Sequence, residues 1–267
     1  MCRFKSGICL KDRVFVPDYD SHSRMLEELH IEDDFAHASK VFVRVELSPI
    51  DGDKASDVGG WKLNVDQDVL PDWWDETVDL PRIKAAVKSW CDIHVLRNGA
   101  HTVRDGVWYA YGSASVKACD SASVKAYDSA SVKAYDSARV EAYSSASVEA
   151  CDSASVEAYD SASVKACDSA SVKAYSSASV KAYDSARVEA YSSASVEAYS
   201  SASVKAYDSA SVKAYDSASV EACGSASVIL PKLYQTSKPV VLHDEAICIN
   251  HRDHTIQSPV TWVRKET

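Results

Sequence analysis

A cysteine directly after the initiator methionine is the first residue in this chain that could do chemistry. Removing Met1 ahead of a residue as small as Cys2 would leave a free α-amine beside the thiol, so one residue could serve as nucleophile and base. His22, Glu46 and Asp66 are helpers by residue type: an imidazole to move a proton and carboxylates to orient it. The competing reading, which we prefer, makes Cys2 a small apolar residue opening an edge strand. No catalytic residue is therefore assigned.

A second constellation is acidic and aromatic. Asp66, Asp68 and Asp72 precede Trp73 and Trp74, and Asp75 and Glu76 follow. Carboxylates beside indole rings suit a sugar or a cation. They also suit an acidic loop whose tryptophans dock on their own domain. Asp66, Asp68, Asp72, Trp73 and Trp74 are the expected binding residues. His251 and His254 flank Asp253 at a metal-like spacing, but no third ligand accompanies them. No metal or cofactor is expected.

The elements that must position these groups lie in residues 1–105. Arg3–Cys9 and Arg13–Pro17 read as strands. Ser21 opens a helix through Met25, Leu26 and Leu29. Val41–Leu47 and Trp61–Val65 are further strands. Pro81–Trp90 carries Ile83, Ala86, Val87 and Trp90 on one helical face. This is an α+β domain.

Residues 111–230 are fifteen octads, beginning Tyr111-Gly112-Ser113-Ala114-Ser115-Val116-Lys117-Ala118. Position one is Tyr or Cys, and position two is Asp, Ser or Gly. Positions three, four and six are always Ser, Ala and Val. Position seven is Lys or Glu, and position eight is Ala, until the last octad ends in Ile229-Leu230. Positions four, six and eight share the parity of one strand face, so Ala, Val and Ala point inward. The turn residues at positions two and three make a corner. The expected unit is a strand of about five or six residues plus a tight turn, and it can bury its face only by stacking on copies of itself.

The charges at position seven read K K K E E E K K K E E K K E along the array. With two octads per coil, stacked neighbours are opposite in 9 of 12 pairs, and with three in 9 of 11. Opposite charges on adjacent strands attract, so both fit. A three-sided coil lined only by Ala and Val would be hollow, which close packing forbids. We expect two-sided, 16-residue coils, about 7.5 of them, in a rod roughly 36 Å long at ~4.8 Å per strand. Gly106–Ala110 reads as an N-terminal plug. Ala246–Asn250 and Thr255–Gln257 read as a capping hairpin, its tip at His251–His254.

The chain of 267 residues carries a net charge of −10. That argues against nonspecific binding to nucleic acid or anionic membrane, and no apolar run is long enough to span a bilayer. The octads alone sum to −5, with Lys mixed among Asp and Glu, a weak match for a nucleic-acid-mimicking inhibitor. Eight cysteines include no C-x-x-C pair, and Cys119, Cys151, Cys167 and Cys223 stand where other octads have Tyr. Tolerated substitution in a reducing compartment is expected, and with no secretion signal the location is expected to be cytoplasmic.

Met1-Cys2-Arg3-Phe4-Lys5-Ser6-Gly7-Ile8, Phe42–Leu47, Val65–Asp68 and Pro71–Trp73 resemble the front end of bacterial and phage proteins carrying similar octad arrays. The resemblance covers most of the chain and implies a mobile-element or gut-bacterial setting, with no activity attached. The Ser/Ala/Tyr content of the repeat is similar to the sixteen-residue coils of ice-nucleation proteins. It lacks their outward Thr-x-Thr rows and places charge where an ice plane needs none. The Met-Cys start looks like that of N-terminal-nucleophile amidotransferases and of abasic-site-binding proteins opening with Met-Cys-Gly-Arg, but Arg3 stands in place of Gly.

The expected architecture is an α+β domain over 1–105, a β-solenoid (parallel β-helix) over 106–230 and a hairpin cap over 231–267. The expected function is a non-catalytic binding or scaffold protein with a rigid solenoid as spacer or docking surface. Its expected partner is another protein, or a second copy meeting it through solenoid faces or ends. The alternatives are a Cys2 hydrolase or amidotransferase and the nucleic-acid mimic.

Overall fold

The computed structural model describes residues 5–48, 58–231 and 240–250. The chain divides into two compact units, Met1–Val95 and Leu96–Thr267.

In the first unit, strands β1 (Lys5–Leu10), β2 (Val14–Phe15), β3 (Phe42–Ser48) and β4 (Lys62–Val65) form an antiparallel sheet in the order β2-β1-β3-β4. Helix α1 (His22–Glu28) is capped by Ser21, whose side chain accepts from the Arg24 amide. Helix α2 (Phe35–Ala38) is capped by Asp34. Ile8, Leu10, Met25, Leu26 and Phe42 form one buried cluster between α1 and the sheet. Helix α3 spans Glu76–His94 and begins five residues before the predicted Pro81. Asp75 explains the early start: its Oδ1 accepts from the Thr77 amide at 2.9 Å and the Thr77 hydroxyl at 2.6 Å. Buried Asp79 accepts from the Asp75 amide at 3.1 Å. Pro81 therefore lies inside the helix and not at its start.

The second unit is a parallel β-solenoid with two octads per coil. Two short strands, β5 (Val95–Leu96) and β6 (Ala100–Val103), precede β7 (Val107–Ala110). Each octad then adds one strand from its last four residues, from β8 (Ser115–Ala118) through β22 (Ser227–Leu230). Strands β23 (Val240–Leu242) and β24 (Ile247–Asn250) complete two ten-stranded sheets, one of even and one of odd strands. Partners in the array lie sixteen residues apart in strict register, Val132 on Val148 and Val148 on Val164. Ten strands at ~4.8 Å give a stack about 43 Å long. Ala at positions four and eight and Val at position six are buried, no array Val being more than 2% exposed.

Strands are four residues long, shorter than predicted, because the corner takes positions one to four. The position-four amide donates back to the position-one carbonyl, as from Ala130 to Tyr127 at 3.1 Å. Position two is left-handed, with φ of 51–57° at its Asp and Ser residues. Asp tolerates that conformation better than most residues, and here it also works between coils. The Asp160 carboxylate accepts from the Ser144 amide one coil earlier at 3.1 Å, and Asp136 does the same for Asp120 at 3.2 Å.

Both ends of the solenoid extend past the predicted 106–230. Ala100–Val103 pairs in parallel with Ser115–Ala118, and Val107–Ala110 with Ser123–Ala126. The predicted plug is thus part of an entry coil, and the unit boundary falls at 95/96 rather than 105/106. This coil escapes an eight-residue pattern because its corners, Arg97-Asn98-Gly99 and Arg104-Asp105-Gly106, are one residue shorter. Gly99 and Gly106 turn them at φ of 76° and 72°. At the other end His243–Asn250 is a degenerate octad with Asp244 at φ 54° and Ala246 donating to the His243 carbonyl at 3.1 Å. The expected first arm of the hairpin is a further solenoid strand, parallel to β22. Residues 251–257, the expected tip and second arm, lie outside the described residues.

Candidate functional site

Three elements of the first unit converge on Asp66. It follows β4, and its amide donates to the Arg44 carbonyl of β3 at 3.0 Å. His22, the first residue of α1, places Nδ1 3.2 Å from Asp66 Oδ2 and Nε2 3.3 Å from the Val45 carbonyl oxygen. Glu46 of β3 brings a carboxylate oxygen within 4.8 Å of the other two groups. Its Oε2 accepts from Asn64 Nδ2 at 3.1 Å, across the β3–β4 register. The imidazole is nearly buried, while Asp66 is exposed. The three helpers chosen from sequence by type therefore meet. Cys2, which they would serve, lies outside the described residues.

Asp66 also lines a cleft of about 550 Å³ with Asp33, Asp34, Phe35, Arg44, Gln67 and Asp68. Gln67 builds its wall. Its Nε2 donates to the Phe42 and Val69 carbonyls at 3.1 and 2.7 Å, and its Oε1 accepts from the Arg44 amide at 2.9 Å. Arg44 is paired with Asp33. Hydrogen bonds from the His37 amide and ring lower the pKa of Asp34, so that carboxylate stays ionised at neutral pH. Four carboxylates against one guanidinium, beside the exposed ring of Phe35, can receive a cationic group.

Of the predicted binding residues, Asp66 and Asp68 line this cleft. Asp72, Trp73 and Trp74 do not. Trp73 donates from Nε1 to the Lys40 carbonyl at 2.8 Å and meets Trp74 edge-on at 6.4 Å, so it ties its loop to the domain. Sequence reasoning missed Asp33, Asp34 and Arg44. They lie 22 to 33 residues before Asp66 along the chain; β3–β4 pairing brings in Arg44, and the ion pair of Arg44 holds Asp33.

Two other ionisable groups of the first unit, Cys9 and Lys5, are buried. Burial pushes the Cys9 thiol up to about 11, which keeps it protonated and unreactive. Lys5, 2% exposed, is held by Asp20 at 2.9 Å and lies 4.4 Å from the Trp90 ring centre.

On the solenoid, position one forms columns. Seven tyrosines from Tyr111 to Tyr207 stack with ring centres 4.7–5.1 Å apart. Their hydroxyls reach the Glu two residues earlier where one is present, as Tyr143 to Glu141 at 2.7 Å. Position seven forms Lys–Glu ladders, with Glu149 held between Lys133 at 3.4 Å and Lys165 at 3.0 Å.

No family model matches this chain, and neither a curated protein nor a solved structure matches it. Among the described residues no helix is long and apolar enough to cross a membrane.

Proposed function

We propose that this protein is a non-catalytic scaffold that acts in a reducing, cytoplasmic setting. Its solenoid is a rigid spacer and docking surface, and the acidic cleft of its first unit gives specificity for a basic segment of a protein partner. The observation carrying this reading is the continuous parallel pairing of both ten-stranded sheets, in strict sixteen-residue register through the array. Within the array, octads one to fourteen repeat the same buried Ala-Val-Ala face and the same outward ladders, so length can change without altering local structure. Cysteine at Tyr positions fits a compartment where thiols stay reduced.

The test separates length from recognition. Deleting residues 159–190, two whole coils, should leave a cooperatively folded protein about 10 Å shorter in its solenoid. Binding of an oligolysine peptide, read by fluorescence anisotropy, should be unchanged by that deletion and weakened about tenfold or more by Asp66→Asn with Asp68→Asn, in line with two charge-assisted contacts. Loss of peptide binding on coil deletion, or retention in the double variant, would contradict the scaffold reading.

One observation favours a second reading. His22, Glu46 and Asp66 do come together, as a Cys2 nucleophile would require. Intact mass and brief thiol alkylation test it. Met1 removal with Cys2 labelling far faster than the other cysteines would support an N-terminal-nucleophile enzyme, and a retained Met1 or an ordinary Cys2 would end that reading.

A further inference from the structure

The two tyrosine and cysteine columns end differently from the way they run. In the column from Tyr111 to Tyr207 the next two position-one residues are Cys223 and His243. Glu221, at position seven before the same corner, faces both. One ligand atom from each of Glu221, Cys223 and His243 lies within 4.8 Å of the other two. His243 Nε2 stands 3.2 Å from Glu221 Oε1. Tetrahedral zinc with bonds of about 2.0–2.1 Å to nitrogen and oxygen needs those two atoms about 3.3 Å apart. Imidazole, thiolate and carboxylate are the three protein ligand types that zinc-class cations take.

The local charge favours a cation here over a sister cluster in the array. Glu149, Cys151 and Cys167 also offer three ligand atoms, the two sulfurs 3.2 Å apart. There Glu149 is already held by lysines of both neighbouring coils. Glu221 has Lys205 on one side only, at 3.7 Å. Its ladder partner on the other side is Val241, which carries no charge. Asp244 adds a second carboxylate at this corner, its Oδ2 accepting from the Gly224 amide at 3.1 Å.

The place in the fold gives such a site a purpose. Between Val220 and Val240 the register steps by twenty residues instead of sixteen. The last coil is therefore joined to the array by a longer connection than any other coil of the array. A cation bridging His243 to Glu221 and Cys223 would fasten that coil to the one before it.

We propose that Glu221, Cys223 and His243 form a binding site for a zinc-class divalent cation that clamps the terminal coil. Binding replaces the Cys223 thiol proton, which leaves to solvent, and leaves a fourth coordination position for water or an external anion. The cation is structural, and the scaffold reading does not depend on it.

Cobalt(II) is the probe, added to the reduced, chelator-stripped full chain. One equivalent should produce tetrahedral ligand-field absorption with a thiolate-to-metal charge-transfer band. Cys223→Tyr and His243→Tyr install the residue that position one carries in most coils, so the fold should persist, as circular dichroism can verify. Each should abolish both bands, while Cys151→Tyr should leave them intact. Zinc should slow amide exchange across 240–250 at least tenfold in the parent chain and not in Cys223→Tyr. Absence of the bands in the parent chain, or their loss in Cys151→Tyr alone, overturns the proposal.

Discussion

Replacing Val164 by alanine tests whether the two sheets are as tightly closed as their Ala-Val-Ala lining requires. Val164 is 2% exposed and stacks between Val148 and Val180. Val164→Ala removes two methyl groups, about 1.6 kcal/mol of transfer free energy at ~0.8 kcal/mol each. A void of about 40 Å³ left behind adds roughly 1 kcal/mol at ~24 cal/mol per Å³. The walls relax little, since alanine has no rotamers and valine is stiff at χ1. The expected loss is therefore about 2–2.5 kcal/mol, near the full transfer-plus-cavity sum. Equilibrium urea unfolding followed by far-ultraviolet circular dichroism measures it, and amide exchange over 159–174 locates it. A change of about 1.6 kcal/mol or less, the transfer term alone, would show that the sheets close over the gap, and the argument for a rigid two-layer core would fail.

Three other expectations follow from features of the coil. Asp160 sits at φ 54°, so Asp160→Val should cost about 1–3 kcal/mol in thermal or urea unfolding, whereas Asp160→Asn, which keeps an acceptor and tolerates the conformation, should cost less than about 1 kcal/mol. Burial and then the Glu189 carboxylate raise the Tyr191 phenol from 10.0 to about 12. Because the folded chain holds that proton more tightly, its stabilising effect is complete below pH 10 and disappears as pH rises towards 12. Difference spectrophotometric titration of the parent chain against Tyr191→Phe should show this one phenolate appearing late and together with unfolding, and its appearance near pH 10 in the folded chain would refute it. Glu149 has its pKa lowered, first by the Lys165 and Lys133 hydrogen bonds. Glu149→Gln should cost about 0.5 kcal/mol at low salt and less at high salt. In the parent chain the Glu149 contribution holds above the ordinary carboxylate range and fades as pH falls through the lowered value, measurable as a pH-dependent difference in urea midpoint.

The solenoid was legible because its information is periodic. Parity assigned the inward face, and charge alternation with the small volume of Ala and Val pointed to two octads per coil. The ends were less legible. The Arg-Asn-Gly and Arg-Asp-Gly corners shift phase by one residue, and His243–Asn250 keeps only Asp244 and Ala246 of the consensus, so each hid a coil from an eight-residue template. The function of Asp at position two was also hidden, since its hydrogen bond crosses to another coil. In the first unit His22, Glu46 and Asp66 could be chosen only by type, and the β3–β4 register together with the start of α1 is what joins them. Trp73 illustrates the opposite case: an aromatic among carboxylates that fastens its own loop.

The sixteen-residue pairing also governs what happens when the number of octads changes. Neighbouring octads are nearly interchangeable, so a slip between them during copying removes or adds whole units. Losing two leaves each later strand in the sheet it had before. Losing one sends each later strand to the opposite sheet. The long tyrosine stack would then be continued by residues from the cysteine-bearing corner. An even count keeps each later strand in its sheet and an odd count does not. Such chains are thus free to drift in length by coils but constrained against drifting by half-coils.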